Sequence, residues 1–234
     1  TAGSDWGGGF NGHNFKIRMK NKIVITYNYI ISIKNLYRAW EEFLPGKKKR
    51  EDVMEFALNL SRNIFDLHHD LKNKRYVHGN YIAFSINDPK PRNIHKALVR
   101  DRLLHHAIYR ILYPPFDKLF VFDSYSCRIG KGTHRALNRF RDFGNLVSKG
   151  NTKTCWILKC DIRKFFASIN QEILINILKK HITDPDIILL LIVVITSFKH
   201  GLPLGNLTSQ LLVNIYMNEF DQWMKHGMKI KHYI

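Results

Sequence analysis

"GLPLGNLTSQ", residues 201–210, stands directly before the most regular amphipathic segment of the chain. Two glycines and a proline predict a turn, here called the Gly–Pro turn, at the start of a helix. Apolar side chains such as Leu211 and Ile215 recur at helical spacing over 207–225, and Gly227 suits a C-cap. Such a turn either only begins the helix or also holds a nucleic-acid strand beside an active site.

The charge of the chain favours a polyanionic partner. Its 234 residues carry 37 Lys+Arg against 19 Asp+Glu, a formal net charge of +18. Repulsion within so basic a domain is usually relieved by a polyanion, and nucleic acid is the first candidate. An anionic membrane surface is a weaker one, because no basic amphipathic helix stands out. The longest apolar run, 187–195, is also too short to cross a bilayer. With 45% hydrophobic residues the chain can bury a core.

The termini and cysteines favour a reducing compartment such as the cytoplasm. Residues 1–18 are rich in Gly and Asn, lack the apolar stretch of a signal peptide, and are predicted to form a flexible leader. Met19 is a candidate natural start. The three cysteines are odd in number and fit no metal-ligand spacing, which indicates free thiols in a reducing compartment.

Predicted strands and helices are mixed along the chain without a regular βαβ repeat, so the predicted fold class is α+β. Helices are expected at 34–43, at 51–74, before Pro114-Pro115, and after the N-cap pair Asp184-Pro185. Strands are expected at 81–86, 154–162 and 228–234. The pair His105-His106 lies on a predicted helix and is expected at the surface.

Three stretches carry residues suited to nucleotide chemistry. In WILKCDIRKFFASIN, Asp161 ends a predicted strand, where a carboxylate can bind Mg²⁺ or simply close a turn. In NDPKPR, two prolines stiffen a hairpin tip that projects Lys90 and Arg92 toward solvent or toward phosphates. In SYSCRIGKGTHRAL, Gly130 and Gly132 flank Lys131, as in loops that expose backbone N–H groups to phosphate oxygens.

The order of these stretches along the chain is stronger evidence for a function than any one of them alone. Basic hairpin, Gly–Lys loop (residues 128–132), DIRKFF and Gly–Pro turn follow one another, and from about residue 76 the chain resembles the fingers and palm of a reverse transcriptase. A Leu-Gly-x-x-x-Ser-Gln pattern, spanning Leu204 to Gln210, resembles the enzymes of diversity-generating retroelements. Those enzymes copy a template RNA with errors directed to adenines. From the resemblance to the fingers and palm, we expect residues 19–150 to form N-terminal helices and fingers, and residues 151–234 to form a partial palm.

The resemblance implies roles for several residues. Asp161 is similar to the first metal-binding carboxylate of the palm, with the Ile162 carbonyl as a supplementary ligand of a two-Mg²⁺ site. Phe166 resembles the aromatic residue that excludes a 2′-hydroxyl, and Lys90 and Arg92 the residues that grip the triphosphate. Further nucleotide contacts are expected at Gly205 and Gln210, and template contacts at Arg128, Gly130, Lys131, Gly132, Pro203 and Leu204.

One departure from the family pattern bears on activity. The aromatic-x-Asp-Asp motif is due after the predicted strand at 228–234, and no Asp pair is present there. We therefore expect a fragment that is inactive as given, since two-metal catalysis depends on those carboxylates. Expected partners are template RNA, a cDNA primer, deoxynucleoside triphosphates and a small basic accessory protein, with no membrane.

Two alternatives remain open. A group II intron-like or retron-like reverse transcriptase would carry the same motifs, with Ser-Pro in place of Ser209-Gln210. A non-catalytic nucleic-acid-binding protein on a polymerase scaffold would also lack the Asp pair. Any polymerase interpretation predicts that Asp161 and Gly205 share one concave face with Phe166.

Overall fold

The computed structural model describes residues 23–87 and 91–234, so the leader, Met19 and Lys90 lie outside the described residues. Two antiparallel strands form a hairpin, β1 (Ile82–Ile86) and β2 (Arg92–Lys96). The helices in chain order are α1 (Tyr27–Ile31), α2 (Ile33–Phe43), α3 (Glu51–Leu58), α4 (Leu60–Lys72), α5 (Val99–Asp117), α6 (Thr133–Val147), α7 (Phe165–Ser168), α8 (Gln171–His181), α9 (Pro185–Thr196) and α10 (Leu207–Gln222).

Helix α5 is the centre of the core. It packs against α2 on one side and α10 on the other, while α8 packs against both α9 and α10. Its inward residues are fully or almost fully buried: Leu103, Leu104, Ala107, Ile108 and Leu112. Each large aliphatic side chain buried in this way stabilises the fold by about 1.5–3 kcal/mol. The core therefore joins helices from both halves of the chain.

The first described residues are hydrogen-bonded to the second half of the chain. The Ile23 N–H donates to the His181 carbonyl at 2.9 Å, and Ile23 bridges Ile182 in parallel. Asp184 caps α9 as the sequence predicts, accepting from Asp186 N–H at 2.9 Å, and it also accepts from Tyr27 N–H at 2.7 Å. One carboxylate thus caps α9 and holds the start of α1.

The predicted hairpin is confirmed, with Ile82 opposite Lys96 and Ile86 opposite Arg92. A two-stranded hairpin is marginal on its own in water, so it needs anchors. At its base Lys96 pairs with Asp52 of α3, Nζ to Oδ2 being 2.6 Å. Arg102 of α5 pairs with the same carboxylate oxygen. The hairpin is therefore held to the helical core at the end opposite its tip.

Several predicted elements differ in the structure. The helix expected at 51–74 is two helices, α3 and α4, separated at Asn59, whose backbone (φ −119°, ψ 36°) is not helical. Helix α5 continues through Pro114 and Pro115 to Asp117. Both prolines lie in its last turn, where each removes one helical hydrogen bond, the bonds to the carbonyls of Arg110 and Ile111. Helix α10 is followed by a single π-helical turn, Trp223–Gly227, so Gly227 is not the residue that ends it.

Neither of the other two predicted strands forms. Residues 154–162 and 228–234 make no ladder with any part of the chain that the structure describes. A strand requires a neighbour for its backbone groups, and apolar alternation alone supplies none. Residues 154–162 are largely exposed, including Trp156 at 91% and Leu158 at 89%. Near the end of 228–234, the Tyr233 hydroxyl donates to Asp221 at 2.5 Å.

Candidate functional site

The Gly–Pro turn lies against the second strand of the basic hairpin. The His95 N–H donates to the Leu204 carbonyl at 2.9 Å. Gly205 has φ +110°, and a Cβ built on it would lie 2.8 Å from the Ile94 Cγ2. Glycine is required here both for its backbone conformation and for this close approach. The strand that carries Arg92 is therefore in direct backbone contact with the turn.

The same turn lies against α7 on its other side. The Leu202 N–H donates to the Phe166 carbonyl at 2.8 Å. Gly201 has φ +63°, and a Cβ there would lie 2.2 Å from the same oxygen. The structure thus brings together three of the predicted stretches, with the turn between the hairpin and the Phe165-Phe166 pair.

Gln171, which the sequence analysis missed, fixes the chain that leads into the turn. Its Nε2 lies within hydrogen-bond distance of the carbonyls of Ile195 (3.1 Å), Phe198 (2.8 Å) and Gly201 (2.9 Å). Phe198 in turn packs edge-on against His95, with ring centroids 4.7 Å apart. Only its position at the start of α8 distinguishes Gln171 in the sequence, and that gives no signal of such a role.

A buried polar network underlies the hairpin. Asp101 of α5 accepts from the Tyr76 hydroxyl at 2.7 Å and from Gly79 N–H at 3.1 Å. His78 stands 3.2 Å, Nε2 to Nε2, from His105. Burial, with smaller contributions from nearby His78, lowers the pKa of His105 to about 3. The expectation of a surface His105 is wrong, because its side chain points into the core from α5.

Asp161 and Ile162 lie on the exposed segment that precedes α7. Asp161 is five residues from Phe166, so its Cα lies within about 18 Å of that residue. The described residues contain no cluster of three His, Cys, Asp or Glu side chains that could hold a metal ion. One carboxylate and one carbonyl do not make a magnesium site by themselves, because Mg²⁺ takes six oxygen ligands.

The Arg128 side chain is buried and hydrogen-bonded within the chain. It is only 6% exposed, and its Nε donates to Asp117 at 2.7 Å. The remaining guanidinium N–H groups donate to the carbonyls of Val121, Ser124 and Asp117. Burial acts to raise the pKa of Asp117, but hydrogen bonds from Arg128 and Tyr113 lower it below its usual value. Arg128 therefore holds the 117–124 segment together, which corrects its assignment as a phosphate contact.

The Gly–Lys loop is folded on itself. Gly130 and Gly132 both have positive φ, +71° and +103°. The Lys131 ammonium donates to the Phe122 carbonyl at 2.7 Å and lies 3.8 Å from the centroid of that ring. Lys131 is thus partly engaged within the loop. The backbone N–H of Gly132 donates to Tyr125 at 3.2 Å, so this amide is not free for a phosphate.

The remaining predicted residues differ in exposure. Arg92, Gly205 and Gln210 are exposed, Leu204 and Phe166 are partly exposed, and Pro203 is buried. Pro203 therefore shapes the turn and offers no surface to a strand, contrary to its predicted template contact. Arg92 makes no ion pair with any described residue. Among the described helices none is both long and apolar enough to cross a bilayer.

Comparison with known proteins gives consistent results. A family model described as "Reverse transcriptase (RNA-dependent DNA polymerase)" matches residues 87–234, well over half of the chain. Protein YkfC of Escherichia coli (strain K12) is 26% identical over 154 residues, covering 62% of this chain and 39% of that protein. The putative COX1/OXI3 intron 1 protein of Saccharomyces cerevisiae is 28% identical over 155 residues, or 60% and 18% of the two chains.

A third relative also comes from an intron. The uncharacterized 91 kDa protein in cob intron of Schizosaccharomyces pombe is 29% identical over 137 residues and is covered over 16% of its length. The chain thus spans well under half of each of these relatives. Among solved structures, a chain of a partial Cas6-RT-Cas1–Cas2 complex matches 84% of this chain, with a TM-score of 0.53 and 21% identity. That match covers 34% of the other chain and shows a shared fold.

Proposed function

The chain belongs to the reverse transcriptase (RNA-dependent DNA polymerase) family, and on that premise we propose that it holds an RNA template paired with a DNA primer for RNA-templated DNA synthesis. The observation that carries the proposal is the joint between hairpin and turn. His95 N–H binds the Leu204 carbonyl while Leu202 N–H binds the Phe166 carbonyl. A basic strand, a glycine turn and a partly exposed aromatic pair thereby lie next to one another.

On this proposal each part has a separate task. Arg92, together with Lys90, binds the triphosphate of the incoming deoxynucleotide, because a guanidinium fork matches phosphate oxygens. The Phe166 ring lies against the sugar and excludes a 2′-hydroxyl. Gly205, exposed on the Gly–Pro turn, and Gln210, exposed in the first turn of α10, lie along the templating pair. Backbone and stacking contacts of this kind suit a single-stranded RNA template.

Reverse transcriptases use Mg²⁺, which when bound stabilises charge on the reacting phosphate and lowers the barrier to transfer. We retain Asp161, with the Ile162 carbonyl beside it, as the proposed contribution of this segment to that site. No three possible metal-ligand side chains come together among the described residues, so we propose that the 234-residue chain alone makes no DNA. Its binding functions do not depend on metal-binding carboxylates.

We further propose that the enzyme is of the diversity-generating type. The support is the pattern from Leu204 to Gln210, in which Ser209-Gln210 replaces Ser-Pro. Such an enzyme copies its template with errors at adenines, works with a small basic accessory protein, and acts in the cytoplasm of a bacterial, archaeal or phage-host cell. Copying of an intron RNA is the second candidate, favoured by the two relatives named for introns.

The binding proposal is testable on the 234-residue chain. Fluorescence anisotropy should show binding to a labelled RNA–DNA primer–template at low salt, with affinity falling linearly on a logarithmic salt scale. Arg92→Ala should reduce the magnitude of that slope by about 0.7–0.9, the release expected for one phosphate contact. Lys72→Ala, an exposed lysine at the end of α4, is the control and should weaken binding less.

Two outcomes would contradict the proposal. Equal affinity for the primer–template and for an uncharged polymer control would remove nucleic acid as the ligand. An unchanged slope for Arg92→Ala, with a reduced one for Lys72→Ala, would place the binding surface on the N-terminal helices instead. A protein that binds but never supports synthesis in any longer form would favour the non-catalytic alternative.

A further inference from the structure

Asn206 sits in the Gly–Pro turn with both polar atoms of its side chain unpaired. Its side chain is buried, with the residue 2% exposed. Neither Nδ2 nor Oδ1 has a hydrogen-bond partner. Within the part of the chain that the structure describes, the other buried side chains with such an atom, Arg102, His105 and Glu219, each leave only one. Asn206 therefore has more unpaired buried polar atoms than any of these other side chains.

The position of Asn206 makes the missing bonds unexpected. It precedes α10 with φ −100° and ψ 141°, a conformation from which an asparagine side chain usually accepts from the helix N-terminus. Here no side-chain cap bond forms. By comparison, Asn170 before α8 does accept, from Ile173 N–H at 3.0 Å. An asparagine at the N-cap position thus caps α8 with its side chain, whereas the asparagine at the same position before α10 makes no cap bond.

Leaving a buried carboxamide unpaired is costly, and natural proteins keep such groups mainly where they have a use. The residue before Asn206 is Gly205, which is exposed and has φ +110°. Glycine can change its backbone angles at little cost, so a shift at this position can turn the Asn206 side chain outward. The turn is fixed at Leu202 and Leu204 by backbone hydrogen bonds, so such a shift is confined to Gly205 and Asn206.

We propose that the Asn206 carboxamide is a specificity-determining contact for the bound polynucleotide. It stays unpaired in the free protein and hydrogen-bonds a base edge or ribose hydroxyl of the strand that lies along the turn. A carboxamide has both donors and acceptors, so it matches either group. This inference rests on the proposed function, since it requires a strand at the Gly–Pro turn.

The test compares stability and affinity in the 234-residue chain. Asn206→Leu replaces the carboxamide with an apolar group of similar size, and such a change at an unpaired buried site is neutral or stabilising. We expect the urea midpoint of the free protein to stay the same or rise. Affinity for an RNA–DNA primer–template should fall about tenfold, the equivalent of one hydrogen bond. Asn206→Ala repeats the affinity test if the leucine does not fit.

Asn35 provides the matched control, because it is equally buried at 2% but fully bonded. Its Nδ2 donates to the Ile30 carbonyl at 2.7 Å and its Oδ1 accepts from Arg110 at 2.7 Å. Asn35→Leu should lower the urea midpoint and leave the affinity of the folded fraction unchanged. The inference is overturned if both Asn206 variants bind the primer–template as tightly as the parent, or if Asn206→Leu destabilises as much as Asn35→Leu. Failure of the parent itself to bind would instead refute the proposed function.

Discussion

Replacing Gly201 by alanine tests whether the Gly–Pro turn depends on its contact with α7. The added Cβ would stand 2.2 Å from the Phe166 carbonyl oxygen and 2.7 Å from the Ala167 Cα. Both neighbours are backbone atoms, so no flexible side chain can move aside. The residue also has φ +63°, which an alanine adopts only with strain.

The magnitude follows from these two costs. The left-handed backbone costs an alanine about 1–2 kcal/mol, and forcing extra volume into a packed site costs about 1–3 kcal/mol. Gly201→Ala should therefore lower the free energy of unfolding by about 2–5 kcal/mol in total. Gly46→Ala is the matched control. Gly46 has φ +72° but no atom within 4 Å of a built Cβ, so its variant pays only the backbone cost.

Urea unfolding of the three proteins, followed by tryptophan fluorescence, measures the difference. We expect Gly201→Ala to unfold at clearly lower urea than Gly46→Ala, with similar m-values. The Gly–Pro turn could also shift to make room for the added Cβ while the rest of the protein stays folded. In that case the hydrogen bond from the Leu202 N–H to the Phe166 carbonyl breaks, and the affinity for the primer–template falls while the stability changes little. A Gly201→Ala protein that matches Gly46→Ala in both stability and affinity would refute the close contact between the turn and α7.

Three other perturbations give distinct results. Because the pKa of His105 falls from 6.5 to about 3 on folding, its unfolded form binds a proton first, so stability is full above pH 6.5 and decreases as pH falls toward 3. His105→Gln should remove roughly 2–3 kcal/mol of the loss between pH 6.5 and 4.5, measured by urea titration at each pH; an unchanged pH profile would contradict the burial of His105. Arg128→Ala should lower the urea midpoint with little change in the salt slope of binding, because its donors serve Asp117 and nearby carbonyls; the reverse pattern would restore it as a template contact. Phe166→Ala should reduce the preference for a deoxynucleotide over a ribonucleotide in crosslinking of photoreactive nucleotides to the primer–template complex, and an unchanged ratio would remove it from the sugar contact.

Local sequence signals predicted the parts of the fold that depend on local chemistry. The hairpin, the Asp184 cap and α2 all follow from turn residues, capping residues and periodicity over a few positions. The strand at 154–162 was wrong because strand formation depends on a neighbouring segment, which periodicity does not show. The break at Asn59 was missed because apolar periodicity continues across it.

The candidate site was predicted as a set of stretches, and the contacts among them were not. The order of motifs identified Arg92, Phe166 and the Gly–Pro turn as one group. The contribution of Gln171 could not be predicted, because it binds carbonyls 24 to 30 residues away in sequence. The resemblance to reverse transcriptases implies a template contact for Arg128. Its pairing with Asp117, eleven residues earlier, gives it a different role.

Hydrogen exchange with and without a bound primer–template tests the central claim most directly. The claim is that a nucleic-acid strand lies along the joint between hairpin and turn. Amides of β2 (Arg92–Lys96) and of residues 202–207 should exchange more slowly when an RNA–DNA hybrid is bound, while those of α4 (Leu60–Lys72) stay unchanged. Slower exchange in α4, with no change at the hairpin or the turn, would contradict the account.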